Sequence, residues 1–256
     1  MVHFISDLRI AYNASIIPIE LDLSSLSSTA AAAHNILDTA TRLDLLFNNA
    51  GIAATAPALT FDGYEAQFGV NYVGHALFTQ LLLPLMLKTA ADLSPNAVRI
   101  INISSMAHRQ ASGIALAEVK TTMESYHTMT RYGQSKLANI LFSQKLAQLY
   151  PTITTVALHP GFVNTEINRS KGGGAKYLDF LTRNIVRWFG VSVEDGTKTQ
   201  LWCGVAKEVK SGEYYEPYGV AKMGSRWTQN RSLRDELWEW TEKELATHSG
   251  SWPAAE

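Results

Sequence analysis

Strand candidates alternate with helical stretches along this chain, and that alternation restricts the fold more than any other feature. Residues 16–20 are rich in β-branched side chains, an alanine-rich helix candidate covers residues 29–41, and residues 43–47 follow as a buried strand. Three further strand candidates follow at residues 98–103, 152–158 and 212–217. Such alternation is typical of a mainly parallel sheet with helices on both faces. The sequence therefore predicts an α/β fold with a doubly wound parallel sheet.

The length and composition fit one globular domain. The chain has 256 residues, of which 46% are hydrophobic and 18% are charged, and no internal repeat or second domain is evident. We therefore expect one domain over residues 1–256, with a frayed tail at residues 249–256.

Charge and cysteine content exclude several classes of partner. The net charge is -1 and lysines and arginines form no run, so we expect no nucleic-acid partner. The longest apolar run, residues 81–87, is too short to span a bilayer. The single cysteine, Cys203, excludes an internal disulfide and a cysteine-built metal site, and we expect no metal and a cytoplasmic location.

Tyr132 and Lys136 open a predicted helix that extends to about residue 150. A separation of four residues places both side chains on one helix face, one turn apart. A positive charge beside a phenol favours the phenolate, so we expect Lys136 to lower the pKa of Tyr132 and make it a general acid/base. A YxxxK pattern is short, and a surface helix with an incidental tyrosine and lysine is the alternative.

Ser104 and Ser105 follow the strand candidate at residues 98–103. In an open parallel sheet, ligands bind beyond the carboxyl ends of the strands. The serine pair therefore lies where a substrate could be bound.

Five landmarks occur in a fixed order, namely Asn48-Asn49-Ala50-Gly51, Asn71, Ser104-Ser105, Tyr132 with Lys136, and His159-Pro160-Gly161. Together they resemble the short-chain dehydrogenase/reductase family, whose NNAG, N, SS, YxxxK and PG motifs follow this order on a doubly wound, Rossmann-like sheet. The resemblance covers about residues 6–246. The stretches YGQSKLANILF, LHPGFVNTE and LWEWTEKEL are similar to the retinol dehydrogenase-like branch and its fungal relatives.

The resemblance implies an NAD(P)-dependent oxidoreductase that acts on a carbonyl or alcohol. Tyr132 would donate or accept the proton, and Lys136 would lower its pKa and hold the nicotinamide ribose. Ser105 would hydrogen-bond the substrate oxygen where negative charge develops. Asn71 would anchor a water that continues the proton path from Lys136.

The resemblance also implies cofactor contacts beyond the tyrosine and lysine. Asp22 would lie at the adenine, Asn49 at the adenosine side, and Val163 and Thr165 at the nicotinamide end. Asp22 and Thr165 could instead cap helices, and Asn49 could close a turn. The branch favours NADP, while NAD stays open.

The family's glycine-rich turn, TGxxxGxG, does not occur in this sequence. Aligned on Asp22 and Asn49, the sequence begins inside the second helix of the expected fold, so we expect the first two strands and the first helix to be missing. The strand at residues 16–20 would then pair directly with residues 43–47, leave a gap that another chain fills, or be loosely ordered.

Three interpretations follow from the missing turn. The chain could be an ordinary dehydrogenase with an incomplete sequence, or a cofactor-independent acid/base enzyme such as an isomerase, dehydratase or cyclase. It could also be a non-catalytic subunit that pairs its sheet edge with a full-length relative.

The sequence also suggests a substrate class and a way in which two copies could associate. Four aromatic side chains suggest that the small-molecule substrate is a bulky lipophilic ketone or alcohol, or a compound of the secondary-metabolite type, although they could equally be core residues. They are Tyr177, Phe180, Trp188 and Phe189. Two copies could also associate through the Tyr132 helix.

Overall fold

The computed structural model describes residues 14–161 and 193–255. Several predicted residues lie outside these ranges, namely Val163, Thr165, Tyr177, Phe180, Trp188 and Phe189.

Within residues 14–161 and 193–255, five strands form one sheet in the order β1-β2-β3-β4-β5. They are β1 Leu45–Asn48, β2 Arg99–Ile103, β3 Thr154–Leu158, β4 Tyr214–Glu216 and β5 Val220–Lys222. The first four are parallel, and β5 pairs antiparallel with β4. The mostly parallel α/β sheet predicted from the sequence is therefore confirmed. The short, exposed β5 was not predicted, because three exposed residues carry no periodic pattern.

Helices cover both faces of this sheet. They are α1 Leu26–Thr39, α2 Gly74–Ala91, α3 Thr128–Leu149, α4 Val193–Val205 and α5 Arg231–Ser249. A helical turn, Ala66–Phe68, and a π-helical stretch, Gly69–Val73, lead into α2. Two short 3₁₀ helices complete the described elements, Met106–Gln110 and Arg226–Gln229. The α1, α2, α3 and α5 helices share one hydrophobic core, while α4 packs with β2 and β3 around a second.

Residues 16–20 do not form the predicted strand. Residues 14–20 contain neither helix nor strand, and Ile17 is 71% exposed. β-branched residues favour a strand chiefly where side chains and backbone pair with a neighbour. Within the described ranges, β1 pairs only with β2 and lies at the edge of the sheet.

The end of the chain packs against the core. Trp252 is buried, its ring centroid lies 4.6 Å from that of Trp238, and it also contacts Phe142. The expectation of a frayed tail is therefore wrong at this residue.

Helix α5 packs against α3, the helix that carries Tyr132. Phe142 of α3 stacks on Trp238, and Lys145 donates to Asp235 at 2.9 Å. Association of two copies through the Tyr132 helix stays a prediction.

The segment Ala66–Ala91 is long and apolar enough to cross a membrane by length and composition. Of its most apolar 18-residue window, 78% is buried inside the protein, as expected for a helix of the core. A single segment of this kind is weak evidence for a membrane span.

Candidate active site

Helix α3 brings Tyr132 and Lys136 together as the spacing predicts. The Lys136 Nζ atom lies 5.7 Å from the centre of the Tyr132 ring. Lys136 is buried, and its Nζ donates a 2.9 Å hydrogen bond to the Ile103 carbonyl at the end of β2. The ammonium is thus fixed between the tyrosine ring and the carboxyl end of β2.

Further hydrogen bonds attach α3 to the residues that follow β2. Asn139 Nδ2 donates to the same Ile103 carbonyl at 3.0 Å, and Ser104 Oγ donates to the Lys136 carbonyl at 2.8 Å. Because Ser105 is the next residue along the chain, these bonds hold it beside the helix that carries Tyr132.

Gly133 allows helix α3 to approach the backbone of the 3₁₀ helix Met106–Gln110 closely. A Cβ atom at Gly133 would lie 2.5 Å from the Ala107 carbonyl oxygen, a distance that real Cβ atoms do not reach. Ser105 begins the 3₁₀ helix, with its Oγ accepting from the Ala107 N–H at 3.2 Å. Its side chain lies near enough to the Tyr132 phenol to lower the pKa of that group. The structure therefore brings Tyr132, Lys136 and Ser105 into one site.

The direction of the Tyr132 pKa shift differs from the prediction. Burial raises the pKa of Tyr132, and the hydrogen bond with Ser105 opposes that shift. The predicted net lowering of the Tyr132 pKa is therefore wrong for this structure, because the effect of burial on the phenol is the larger one. Burial also lowers the pKa of Lys136 to about 8, so its charge is itself sensitive to mildly alkaline pH.

Asn71 lies in the π-helical stretch and is fully buried. Its Oδ1 accepts from the Ile52 N–H at 2.8 Å, and its Nδ2 donates to the Ile52 carbonyl at 2.9 Å and to Ser135 Oγ at 3.0 Å. Asn71 thus connects the loop after β1 to α3, one residue before Lys136. Its role in holding a catalytic water stays a prediction.

Asp22 closes the turn before α1. Its Oδ1 accepts from the N–H and the Oγ of Ser24 at 2.8 and 2.7 Å, and these bonds lower the pKa of the carboxyl group. The N-cap of α1 is Ser25 rather than Asp22. A contact of Asp22 with adenine stays a prediction.

The segments that carry Asp22 and Asn49 meet the same end of α2. A Cβ atom at Gly74 would lie 2.7 Å from the Leu23 carbonyl oxygen, so these backbones are in close contact. The next residue, His75, places Nε2 2.8 Å from the Ala50 carbonyl oxygen. Asn49 is exposed at the carboxyl end of β1, and its cofactor contact also stays a prediction.

A sequence model of the family described as short chain dehydrogenase matches residues 2–175. This chain belongs to the short-chain dehydrogenase family.

Curated relatives agree with that assignment. The chain is 34% identical over 241 residues to the short-chain dehydrogenase/reductase drtF of Aspergillus calidoustus, covering 89% of this chain and 76% of the relative. It is 34% identical over 230 residues to mouse (Mus musculus) retinol dehydrogenase 12, covering 88% and 68%. The chain is therefore an oxidoreductase of this family, similar to its retinol dehydrogenases.

Solved structures share the fold. An uncharacterized protein from Mycobacterium Paratuberculosis has a TM-score of 0.69 at 27% identity, covering 97% of this chain and 81% of that one. NADPH-bound carbonyl reductase from chicken fatty liver has a TM-score of 0.60 at 26% identity, covering 86% and 81%.

Sequence reasoning about this short-chain dehydrogenase missed a row of buried amides beneath the site. Asn48 Nδ2 donates to Asn102 Oδ1 at 2.8 Å and to Thr79 Oγ1 at 2.9 Å, and Asn102 Nδ2 donates to Ser143 Oγ at 2.8 Å. Buried amides require such partners. The sequence signal for this row was an asparagine in each of two neighbouring strands, Asn48 and Asn102, which pair in the sheet.

A buried ion pair next to Tyr132 was also missed. Arg131 Nη1 donates to Glu65 Oε1 at 2.8 Å, with both side chains at most 2% exposed. Arg131 Nη2 also donates to the Thr55 carbonyl at 2.9 Å. The pair connects the loop after β1 to the first turn of α3, and the long sequence separation of its members hid it.

Proposed function

We propose that this chain interconverts a carbonyl and an alcohol with NADP(H), on a lipophilic or secondary-metabolite-type substrate. The observation that carries the proposal is the convergence of Tyr132, Ser105 and Lys136 at the carboxyl end of β2. The retinol dehydrogenase relatives and the NADPH-bound carbonyl reductase support the reaction class and the cofactor.

The two hydroxyl groups account for the proton chemistry. The Ser105 side chain lowers the pKa of Tyr132, so the two hydroxyl groups lie near each other, and a carbonyl oxygen that enters between them would meet two donors. Ser105 would stabilise the negative charge that develops on this oxygen, and Tyr132 would deliver the proton. In alcohol oxidation the same phenol would accept the proton.

The described residues fit a nicotinamide cofactor. Gly51 lies against Asn71 and Lys136, since a Cβ atom there would be 2.8 Å from Asn71 Oδ1 and 3.5 Å from Lys136 Nζ. The missing side chain leaves a cradle beside an ammonium, where a ribose hydroxyl could be held. Lys136 and Asn49 would hold the cofactor, together with Val163 and Thr165 as proposed contacts. Bound there, the group supplies the hydride.

The test is turnover by the purified full chain with bulky lipophilic ketones and aldehydes, with NADPH and with NADH. The proposal expects consumption of NADPH that depends on the ketone and is abolished in Tyr132→Phe. Tyr132-dependent isomerisation or dehydration without a nicotinamide would instead support a cofactor-independent acid/base enzyme. Binding of neither cofactor, with no turnover, would contradict the proposal.

A further inference from the structure

His108 connects the proposed substrate-binding serine to a distant part of the chain. It lies in the 3₁₀ helix that Ser105 begins, and its ring is fully buried. The Nδ1 atom lies 2.6 Å from the Ser105 carbonyl oxygen. A carbonyl oxygen only accepts hydrogen bonds, so Nδ1 carries the proton in this contact.

The other ring nitrogen has the opposite role. The Ser225 N–H donates to His108 Nε2 at 3.1 Å, so Nε2 carries no proton. Both contacts are satisfied only by the neutral imidazole with its proton on Nδ1. A protonated ring would present a second N–H to the Ser225 N–H and lose this hydrogen bond.

The Ser225 side of the contact is well defined. Gly224 has a φ of +71°, and a Cβ atom there would lie 3.1 Å from His108 Nε2, so the backbone approaches the ring closely. Thr228 N–H and Oγ1 both bond the Ser225 carbonyl, at 3.1 and 2.7 Å. The turn formed by residues 225–228 therefore fixes the Ser225 N–H that faces His108.

Charged and titratable groups surround the ring. Tyr214 packs edge-on against it, with centroids 5.1 Å apart, and Arg109 pairs with Glu216 at 3.0 Å nearby. Arg109 disfavours the protonated imidazole, Glu216 favours it, and His159 interacts electrostatically with the ring. Burial outweighs these charges and lowers the pKa of His108, which keeps the ring neutral.

We propose that His108 is a positioning residue for Ser105, whose carbonyl it holds through Nδ1–H while Nε2 is anchored on Ser225. The hydroxyl of Ser105 then stays in register with Tyr132. This inference rests on the proposed function in one respect, the contact of Ser105 with the substrate oxygen. It adds that the segment after β5 supports the catalytic serine.

Two substitutions separate the two ring contacts. The Nδ2 of asparagine lies near the position of Nδ1, so His108→Asn can still donate to the Ser105 carbonyl but loses Ser225. The Oε1 of glutamine reaches towards the position of Nε2, so His108→Gln can still accept from Ser225 but loses the side-chain bond to the Ser105 carbonyl. That carbonyl then keeps only its 3.1 Å bond from the backbone N–H of residue 108. Each variant loses one hydrogen bond and the aromatic contact with Tyr214, so their losses of stability should be similar.

The expected result is a difference in kcat between two variants of similar stability. His108→Asn should keep most of the wild-type kcat, while His108→Gln should lose at least about tenfold, because small displacements of catalytic groups are costly. Ser105→Ala combined with His108→Gln should be no slower than Ser105→Ala alone. Equal kcat losses in the two His108 variants, or losses that follow their melting temperatures, would overturn the proposal.

The tautomer of His108 can be measured without turnover, so it tests the positioning role separately from the proposed function. Nitrogen-15 NMR of the wild-type ring should show the Nδ1–H tautomer at neutral pH, with His108→Asn identifying the signal. The opposite tautomer would overturn the positioning role even in an active enzyme. The predicted tautomer in a chain that turns over no carbonyl would contradict the proposed function alone.

Discussion

Lys136 donates its 2.9 Å hydrogen bond to the Ile103 carbonyl and not to the hydroxyl of Tyr132. The lysine therefore joins helix α3 to the end of β2 as well as supplying charge near the phenol. Ser105 lies two residues beyond Ile103, and its side chain lowers the pKa of Tyr132 against the larger effect of burial, which raises that pKa.

Replacing Tyr132 by phenylalanine removes the proposed proton donor and leaves the ring. We expect turnover to fall by at least about 10²-fold, the usual size of acid/base catalysis. Tyr126→Phe is the matched control, since that hydroxyl bonds only the exposed Glu118 at 2.9 Å, and it should keep wild-type turnover. Steady-state kinetics with a ketone and NADPH measure both variants, and a loss below tenfold in Tyr132→Phe would contradict the role.

Much of the fold could be predicted from sequence because apolar runs and helical periodicity mark elements that are buried. Strands β2 and β3 are buried at every residue, and the prediction placed both to within two residues. Residues 16–20 have the same β-branched composition but stay outside the sheet. Composition alone does not say whether a strand has a neighbour to pair with.

The site was predictable to the extent that it depends on local spacing. Because Lys136 follows Tyr132 by four residues, any helix that contains both places them on the same face, independently of the rest of the fold. The partners of His108 and Arg131 depend instead on contacts between residues far apart in sequence, which spacing does not encode. For the same reason the direction of the Tyr132 pKa shift could not be predicted, since it follows from burial.

Gly133→Ala should loosen the junction between α3 and the 3₁₀ helix. The added Cβ would meet the Ala107 carbonyl at 2.5 Å, and backbone atoms cannot turn away as a side chain can. We expect a loss of about 1–3 kcal/mol in the free energy of unfolding, as for other overpacked sites, together with lower kcat. Gln148→Ala, at an exposed position of the same helix, is the control for alanine in α3. Urea unfolding measures both, and an unchanged midpoint in Gly133→Ala would disagree with the packing seen here.

Breaking the Glu65–Arg131 pair should destabilise the fold strongly. Arg131→Met leaves the Glu65 carboxylate buried without its ionic partner, which costs about 3–5 kcal/mol in comparable cases. Combining it with Glu65→Gln should recover a large part of that loss, because no uncompensated charge is left buried. Unfolding in urea gives the three values, and a double variant as unstable as the sum of the single ones would contradict coupling. Arg42→Gln, in an exposed pair, should change stability little.

Two buried histidines should make stability depend on pH in the mildly acidic range. Burial lowers the pKa values of His75 and His159 to about 4, while an unfolded chain has a histidine pKa of about 6.5. The unfolded chain therefore binds more protons between these values, so stability is complete above pH of about 6.5 and falls as the pH drops towards 4.

The contribution of one histidine can be isolated by substitution. His75 Nε2 donates to the Ala50 carbonyl at 2.8 Å, and the amide of His75→Gln can make a similar bond without titrating. We expect the slope of unfolding free energy against pH to be smaller in His75→Gln than in the wild type between pH of about 4 and 6.5. His34→Gln, at an exposed position of α1, serves as the control and should keep the wild-type slope. Equal slopes in all three proteins would show that His75 does not remain neutral in the folded state.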